Sequence, residues 1–337
     1  MDSKPRFAII GCGRIAHRHA VEIKKHGHLV AVCDIITEKA IAFTETFSSA
    51  SYTSIDELLT SEKEVDIIVV CTPNGLHATH SIQSLQAGKH VLCEKPMATT
   101  SADAKKMIAA ATGSGKKLYV VKQNRFNPPV TFVKQLLAEN KLGNIHSFQL
   151  NCFWNRPASY FQDNWHGTKE LDGGSLFTQF SHFIDLLYWL LGDVDTASGI
   201  RSNFMHQGQI SIEDSGVSIL KLSNGAIGTI NYTLNSYQKN MEGSLTIFGD
   251  KGTVKIGGQY LNELEYFSVA GERKPILPKS NPSNEYGFYR GSMSNHDKVY
   301  EALMKEINNP SSSFITMEET LKSVEIIEKI YGASPMI

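Results

Sequence analysis

The run Phe7-Ala-Ile-Ile-Gly-Cys-Gly-Arg-Ile-Ala16 places two glycines and an alanine in the spacing G-x-G-x-x-A, directly after an apolar stretch. Gly11 permits a tight turn, Gly13 leaves room for backbone to approach a pyrophosphate, and Ala16 lets a following helix pack closely. This loop, with Arg14 and Ile15, is therefore read as a dinucleotide cradle; the motif by itself also fits an ordinary strand-to-helix turn. Asp34 ends the second apolar run, about twenty residues after the glycines, where a carboxylate accepts hydrogen bonds from ribose hydroxyls and repels a 2′-phosphate. The following Ile35-Ile36 supplies no cation for such a phosphate, so NAD is expected rather than NADP.

Two further segments, Cys71-Thr-Pro-Asn-Gly-Leu-His77 and Cys93-Glu-Lys-Pro96, sit at the carboxyl ends of apolar runs, where open α/β sheets bind ligands. Thr72, Pro73, Asn74, His77, Glu94 and Lys95 are accordingly expected at the nicotinamide half of the cofactor. Lys95 precedes a proline, which keeps it out of a helix and restricts where it points. A fixed ammonium there can hydrogen-bond a reacting hydroxyl and, with its pKa lowered by burial, take part in proton transfer. An isolated lysine is more commonly solvated, and an isolated His182 in the apolar helix 176–191 is more commonly structural. His182 and Asp185, three apart, share a helix face.

These residues need a scaffold, and the apolar pattern supplies one. Phe7–Ile10, Leu29–Cys33, Val65–Cys71, His90–Cys93 and Leu118–Val121 are Val- and Ile-rich runs alternating with helical segments at Arg14–His26, Glu38–Phe47, Leu76–Ala87 and Ser101–Thr112. The last helix opens at Ser101 without a full capping box, since Ala104 stands three residues on. That alternation predicts an α/β Rossmann domain over residues 1–123. After it, Ile145–Phe153, Gly216–Leu222, Ala226–Leu234, Ser244–Phe248 and Thr253–Ile256 follow one another through turns such as Ser223-Asn-Gly225. Together with helices Leu176–Leu191, His296–Ile307 and Met317–Tyr331, the last two split at 308–310, they predict an α+β domain over 124–337. It carries a large open, mainly antiparallel sheet, and its C-terminal helix packs back on the first domain.

The 33 Lys and Arg against 34 Asp and Glu among 337 residues create no field favouring nucleic acid or an anionic membrane. Five cysteines without C-x-x-C spacing, an N-terminus lacking a signal-peptide pattern and the absence of a spanning apolar run fit a reducing cytoplasm with no structural metal.

Taken together, G-x-G-x-x-A, Thr72-Pro73-Asn74 with His77, Glu94-Lys95-Pro96, and Gly173-Gly174 ahead of His182 and Asp185 resemble the glucose-fructose oxidoreductase/inositol dehydrogenase (Gfo/Idh/MocA) family over nearly the whole chain. The resemblance implies a soluble NAD-linked sugar or polyol dehydrogenase in which Lys95 and His182 meet at the substrate as the polar catalytic pair. Many inositol dehydrogenases carry Asp four residues before the helix histidine; here that position is Thr178, next to Gln179. The stretches 121–128, 154–157, 165–168 and 171–174 are similar to the UDP-N-acetylglucosaminuronate 3-dehydrogenase branch. That similarity implies cofactor contacts from Gln123 and Trp165, and substrate contacts from Arg125, Asn127, Arg156, Tyr160, Thr178, Gln179 and Arg290. Lys169 is a further cation suited to an anionic substrate. In this branch an Arg often precedes Gly167, where this chain has His166. A homodimer or homotetramer is expected. The competing readings are a dehydrogenase of a free sugar, polyol or other nucleotide sugar, and a non-catalytic regulator that senses a dinucleotide.

Overall fold

The computed structural model describes residues 4–287, 289–309 and 315–337; Pro310 of the predicted helix break lies outside them. The chain forms two compact units, Met1–Val121 with His296–Val324 and Lys122–Asn295 with Glu325–Ile337.

In the first unit, β1 (Arg6–Ile10), α1 (Arg14–His26), β2 (His28–Cys33), α2 (Thr37–Phe47), β3 (Ala50–Tyr52), α3 (Ile55–Ser61), β4 (Ile67–Val70), α4 (His77–Gln86), β5 (His90–Cys93), α5 (Ser101–Ser114) and β6 (Leu118–Val120) follow in order. The strands form a parallel sheet in the order β3-β2-β1-β4-β5-β6. Strand order reverses between β1 and β4, so a crevice opens at their carboxyl ends. Phe7–Ile10 and Ile67–Val70 are buried on both faces, which is why they read as unbroken apolar runs. Helix α1 buries Ala16, His19, Ala20 and Ile23, one stripe at helical spacing whose small members permit close approach. Sequence reasoning missed β3 and α3; it started α5 at Ser101, as observed, and ended it two residues early. Its N-cap is Thr100, whose hydroxyl accepts the Asp103 N–H at 3.1 Å.

The second unit contains α6 (Pro128–Ala138), β7 (Ile145–Phe153), α7 (Ser175–Thr178), α8 (Ser181–Leu191), β8 (Val194–Ser202), β9 (Ser215–Leu222), β10 (Ile227–Thr233), β11 (Glu242–Gly249), β12 (Gly252–Gly257) and β13 (Glu263–Val269), with a small hairpin of β14 (Ser283–Glu285) and β15 (Arg290–Met293). Seven strands pair in the order β13-β12-β11-β7-β10-β9-β8. All pairs are antiparallel except β7 with β10. Trp154 packs edge-on and tilted against Phe183 and Phe180, at centroid distances of 5.5 and 5.4 Å, in the core beneath α8. The single helix predicted over 176–191 is instead two, broken at Gln179-Phe180. The sheet's other face carries exposed Ile200, Val217, Ile219 and Ile227.

Helix α9 (His296–Asn308) belongs to the first unit, where the sequence reading assigned 124–337 to the second domain with its C-terminal helix packing back on the first. Its buried Tyr300 lies with its ring centroid 6.0 Å from that of Phe7 on β1. A final helix, α10, covers Met317–Gly332. No helix among the described residues is long and apolar enough to cross a membrane.

The β1–α1 turn is tight. Gly11 has φ +94°, and a Cβ there would lie 2.7 Å from both the carbonyl carbon and the oxygen of Cys71. Gly11→Ala therefore combines a left-handed backbone with a backbone clash and is expected to cost about 1–3 kcal/mol. Chemical denaturation should show the loss as a lower midpoint, and an unchanged midpoint would contradict the close packing of β1 on β4.

Candidate active site

The carboxyl ends of β1, β2, β4 and β5 carry the first group of candidate residues. The Gly11 N–H donates to the Cys33 carbonyl at 2.8 Å, fixing the turn. Helix α1 has no side-chain cap and no acidic residue in its first turn, so its leading N–H groups are left for an anion. Asp34 is oriented by two backbone donors, Cys12 N–H to Oδ2 and Ile36 N–H to Oδ1, each at 2.8 Å. Burial and the nearby Asp34 charge push the Cys12 thiol up to about 12, so it stays protonated. Arg14 is exposed and Ile15 half-buried at the rim of the same loop. A glycine cradle, an uncapped helix start and an aimed carboxylate together fit a dinucleotide.

Around β4 and β5 the structure gives protein partners to two residues expected at the cofactor. His77 was expected to touch the cofactor, but its Nδ1 faces the Pro96 carbonyl at 2.7 Å and its Nε2 the Thr72 carbonyl at 2.8 Å. The imidazole thus ties the two loops together; burial lowers its pKa, and the two carbonyls oppose that. Thr72 bonds His80 Nδ1 through its hydroxyl at 3.0 Å, Asn74 is buried, and Pro73 is half-buried beside it. Glu94 was likewise expected at the cofactor. Its carboxylate instead turns inward: Oε1 accepts from His19 Nε2 at 2.9 Å and His296 Nε2 at 3.2 Å, and Oε2 accepts the Lys95 N–H at 3.0 Å. Burial pushes this carboxyl up, but the two histidine hydrogen bonds outweigh it and hold the group well below the usual range. The Lys95 side chain is half-buried.

The second unit carries the other group. His182, on the first turn of α8, is buried and meets Gln123 Nε2 at 3.3 Å through its own Nε2. One turn on, Asp185 is the anchor of a buried triad: Lys122 Nζ lies 3.0 Å from Oδ1, and Arg125 grips both oxygens at 2.8 and 2.9 Å. Desolvation raises the Asp185 carboxyl, yet these two cations win and hold it well below the ordinary value. Arg125, expected at the substrate, is held by Asp185 and also lies over the Trp189 ring. Asn127, also expected at the substrate, has protein partners at both amide atoms. Its amide donates to the carbonyls of Tyr260 and Leu261, and its oxygen accepts from Asn295. Thr178 is a third case, its hydroxyl donating to Asp172 Oδ1 at 2.5 Å.

Arg156 is buried among Trp154, Tyr160 and Tyr289, whose ring centroids lie 5.0 to 5.3 Å from the guanidinium carbon. Its Nε donates to Gln179 Oε1 at 2.8 Å, and Gln179 in turn donates to the Tyr160 hydroxyl. Its Nη1 takes the Asn155 carbonyl and Asn240 Oδ1. Among the described residues no carboxylate pairs with it. Trp165 stacks on His166 at 3.7 Å between centroids. Lys169 is exposed, and Arg290 forms an exposed pair with Glu285 on the β14–β15 hairpin. Sequence reasoning missed Lys122, although it stands beside Gln123, and it missed His19, His296 and Tyr300. It also named no metal ligands, yet His19, Glu94 and His296 bring three ligand-type atoms within 4.8 Å of one another. Their N···O separations are hydrogen-bond distances.

Comparisons with known proteins identify the family. Residues 5–122 match an oxidoreductase family described by its NAD-binding Rossmann fold, and residues 134–335 match that family's C-terminal alpha/beta domain. Glucose-6-phosphate 3-dehydrogenase of Bacillus subtilis is 29% identical over 83% of this chain and 83% of its own length. D-glucoside 3-dehydrogenase of Escherichia coli is 28% identical, covering 74% and 77%. The WlbA dehydrogenase of Chromobacterium violaceum, solved with NADH and UDP-GlcNAcA, superposes with a TM-score of 0.89 at 34% identity, over 99% of this chain and 94% of that one.

Asp172 generates a pH prediction. Burial raises its carboxyl to about 7, against hydrogen bonds from Thr178 and from the Gly167 and Gly174 N–H groups. The folded protein therefore keeps a proton that an unfolded chain releases near pH ~4. Its contribution to stability is fully present below that pH and is lost as pH rises to about 7. Asp172→Asn should flatten the fall in stability between those limits relative to the unsubstituted protein. Parallel slopes in the two proteins would show that Asp172 is ionised throughout.

Proposed function

Because this chain belongs to the Gfo/Idh/MocA family of NAD-binding oxidoreductases, we propose that it oxidises a ring hydroxyl of a nucleotide-sugar acid, C3 of UDP-N-acetylglucosaminuronate. The observation that carries this reading is the 34% identity, along 99% of the chain, to a dehydrogenase solved with NADH and that compound. Arg156 supports it independently. A buried guanidinium without a carboxylate leaves a positive charge that an acidic ligand would offset. The product would feed di-aminated uronic acids toward bacterial surface polysaccharide, in the cytoplasm. The exposed apolar row Ile200, Val217, Ile219 and Ile227 supports a homodimer or homotetramer with the sheet face covered.

NAD is the cofactor, and when bound it takes up the hydride that leaves the substrate carbon. The chain's own residues do the rest. Gly11 and Gly13 with the start of α1 hold the pyrophosphate, and Asp34 accepts the ribose hydroxyls. The Lys95 ammonium donates to the reacting oxygen, and His182 takes the hydroxyl proton. Gln123, beside His182, holds the imidazole in register. Asp185 keeps Lys122 and Arg125 paired beneath that helix, which fixes the direction from which His182 approaches. Tyr160, Gln179 and Arg156 form a connected polar wall for the sugar acid.

Lys95→Ala and His182→Ala should each lower turnover about a hundred- to ten-thousand-fold while NAD still binds, because proton transfer is lost and the cradle is untouched. Near-native turnover in either variant would remove that residue from the chemistry.

Calorimetry with NADH present should show UDP-N-acetylglucosaminuronate binding far more tightly than glucuronate or myo-inositol, since the diphosphate adds contacts remote from C3. Tighter binding of an uncharged polyol would replace this reading with that of a free-sugar dehydrogenase. Relatives acting on glucose 6-phosphate and glucosides make those sugars the necessary controls.

A further inference from the structure

We infer that Tyr300, His19, His296 and Glu94 form a buried relay of hydrogen bonds that positions Lys95. The inference rests on the reading above, in which Lys95 acts on the substrate hydroxyl. Glu94 Oε2 holds the peptide N–H of Lys95 at 3.0 Å, while Oε1 receives His19 Nε2 at 2.9 Å and His296 Nε2 at 3.2 Å. A carboxylate only accepts, so both histidines must present Nε2–H to it. The Tyr300 hydroxyl lies 2.9 Å from His19 Nδ1. Burial raises that phenol well above its usual range, so it stays protonated and donates, fixing His19 in the Nε2–H form. All four side chains are buried.

On the far side of Lys95, His77 grips the Pro96 carbonyl at 2.7 Å. The backbone is thus held immediately before and after the lysine, while its side chain stays half-exposed. A purely structural core would be served as well by apolar groups of the same volume, and a buried carboxylate without a cation is costly. Here it ends on the one peptide group that aims Lys95. His296 and Tyr300 lie on α9, some two hundred residues beyond β5, so the return of that helix supplies donors that the local chain lacks. Reactive groups must be held to within about half an ångström, and a 1 Å misplacement can cost roughly a hundredfold in rate.

The decisive comparison is His19→Leu with His19→Gln, because a glutamine amide can place N–H where Nε2 stood. In the NAD-loaded protein, His19→Leu should lower kcat about ten- to a hundredfold with KM little changed, and His19→Gln should recover most of it. Competitive acetylation of Lys95 by acetic anhydride across pH reads the lysine without reference to any sugar. Its profile should shift in the Leu variant and not in the Gln variant. If His19→Leu does not fold, His296→Leu and His296→Gln, which remove the longer bond, give the same pair of measurements. Unchanged acetylation and kcat in the Leu variant would overturn the relay, as would equal losses in both variants or one equivalent of tightly bound zinc by elemental analysis. A shifted acetylation profile in a protein that oxidises no nucleotide-sugar acid would leave the relay standing and remove only the substrate assignment.

Discussion

Glu94 is a carboxylate placed where water does not reach, and much of the first unit is arranged around the donors it requires. Ionised, it needs hydrogen bonds at both oxygens. β5 and its loop supply one, the Lys95 peptide, and α1 supplies His19 from across the sheet. The third comes from His296 on α9, and that helix is not part of the βαβ succession that builds the domain. Its presence there follows from the same chemistry, since Tyr300 both fills space against Phe7 and completes the hydrogen bonding of His19. An apolar α9 would fill the same volume and leave Glu94 short of a donor.

The second unit solves the opposite problem. Around Asp185 two cations share one carboxylate, and elsewhere in the same unit Arg156 has amide oxygens and aromatic faces but, among the described residues, no carboxylate. Buried guanidinium groups tolerate such surroundings because the flat cation stacks on rings and is weakly hydrated. Asp172, raised to about 7, contributes less than a full negative charge at neutral pH.

Much of this was legible in the sequence, and the pattern of failure is physical. β1, β2, β4 and β5 read clearly because parallel strands covered on both faces must be apolar throughout. β3 and β8 did not, since each lies at a sheet edge and carries polar side chains outward. The Pro128-Pro129 start of α6 is also a turn signal until the helix behind it is seen. The split of 176–191 into α7 and α8 leaves no trace in hydrophobic spacing, because both halves are buried all round.

The same division separates the site residues. Gly11, Gly13 and Asp34 lie within one βαβ unit and are held by local backbone geometry, so their arrangement could be read from spacing together with the apolar runs around them. Arg125, Asn127, Thr178, His77 and Glu94 were assigned to ligands because their types suit ligands, yet each is satisfied by protein. Most of those partners are distant in sequence: Arg125 pairs 60 residues away, Asn127 reaches 133 and 134, and Glu94 reaches 75 and 202. A resemblance transfers residue identity without saying whether the group meets the ligand or holds one that does. Both uses constrain a residue's type equally tightly, because a buried polar group that loses its partner costs about as much as a lost ligand contact. The three-dimensional structure adds what spacing lacks, the protein groups that hold each of these five side chains in place.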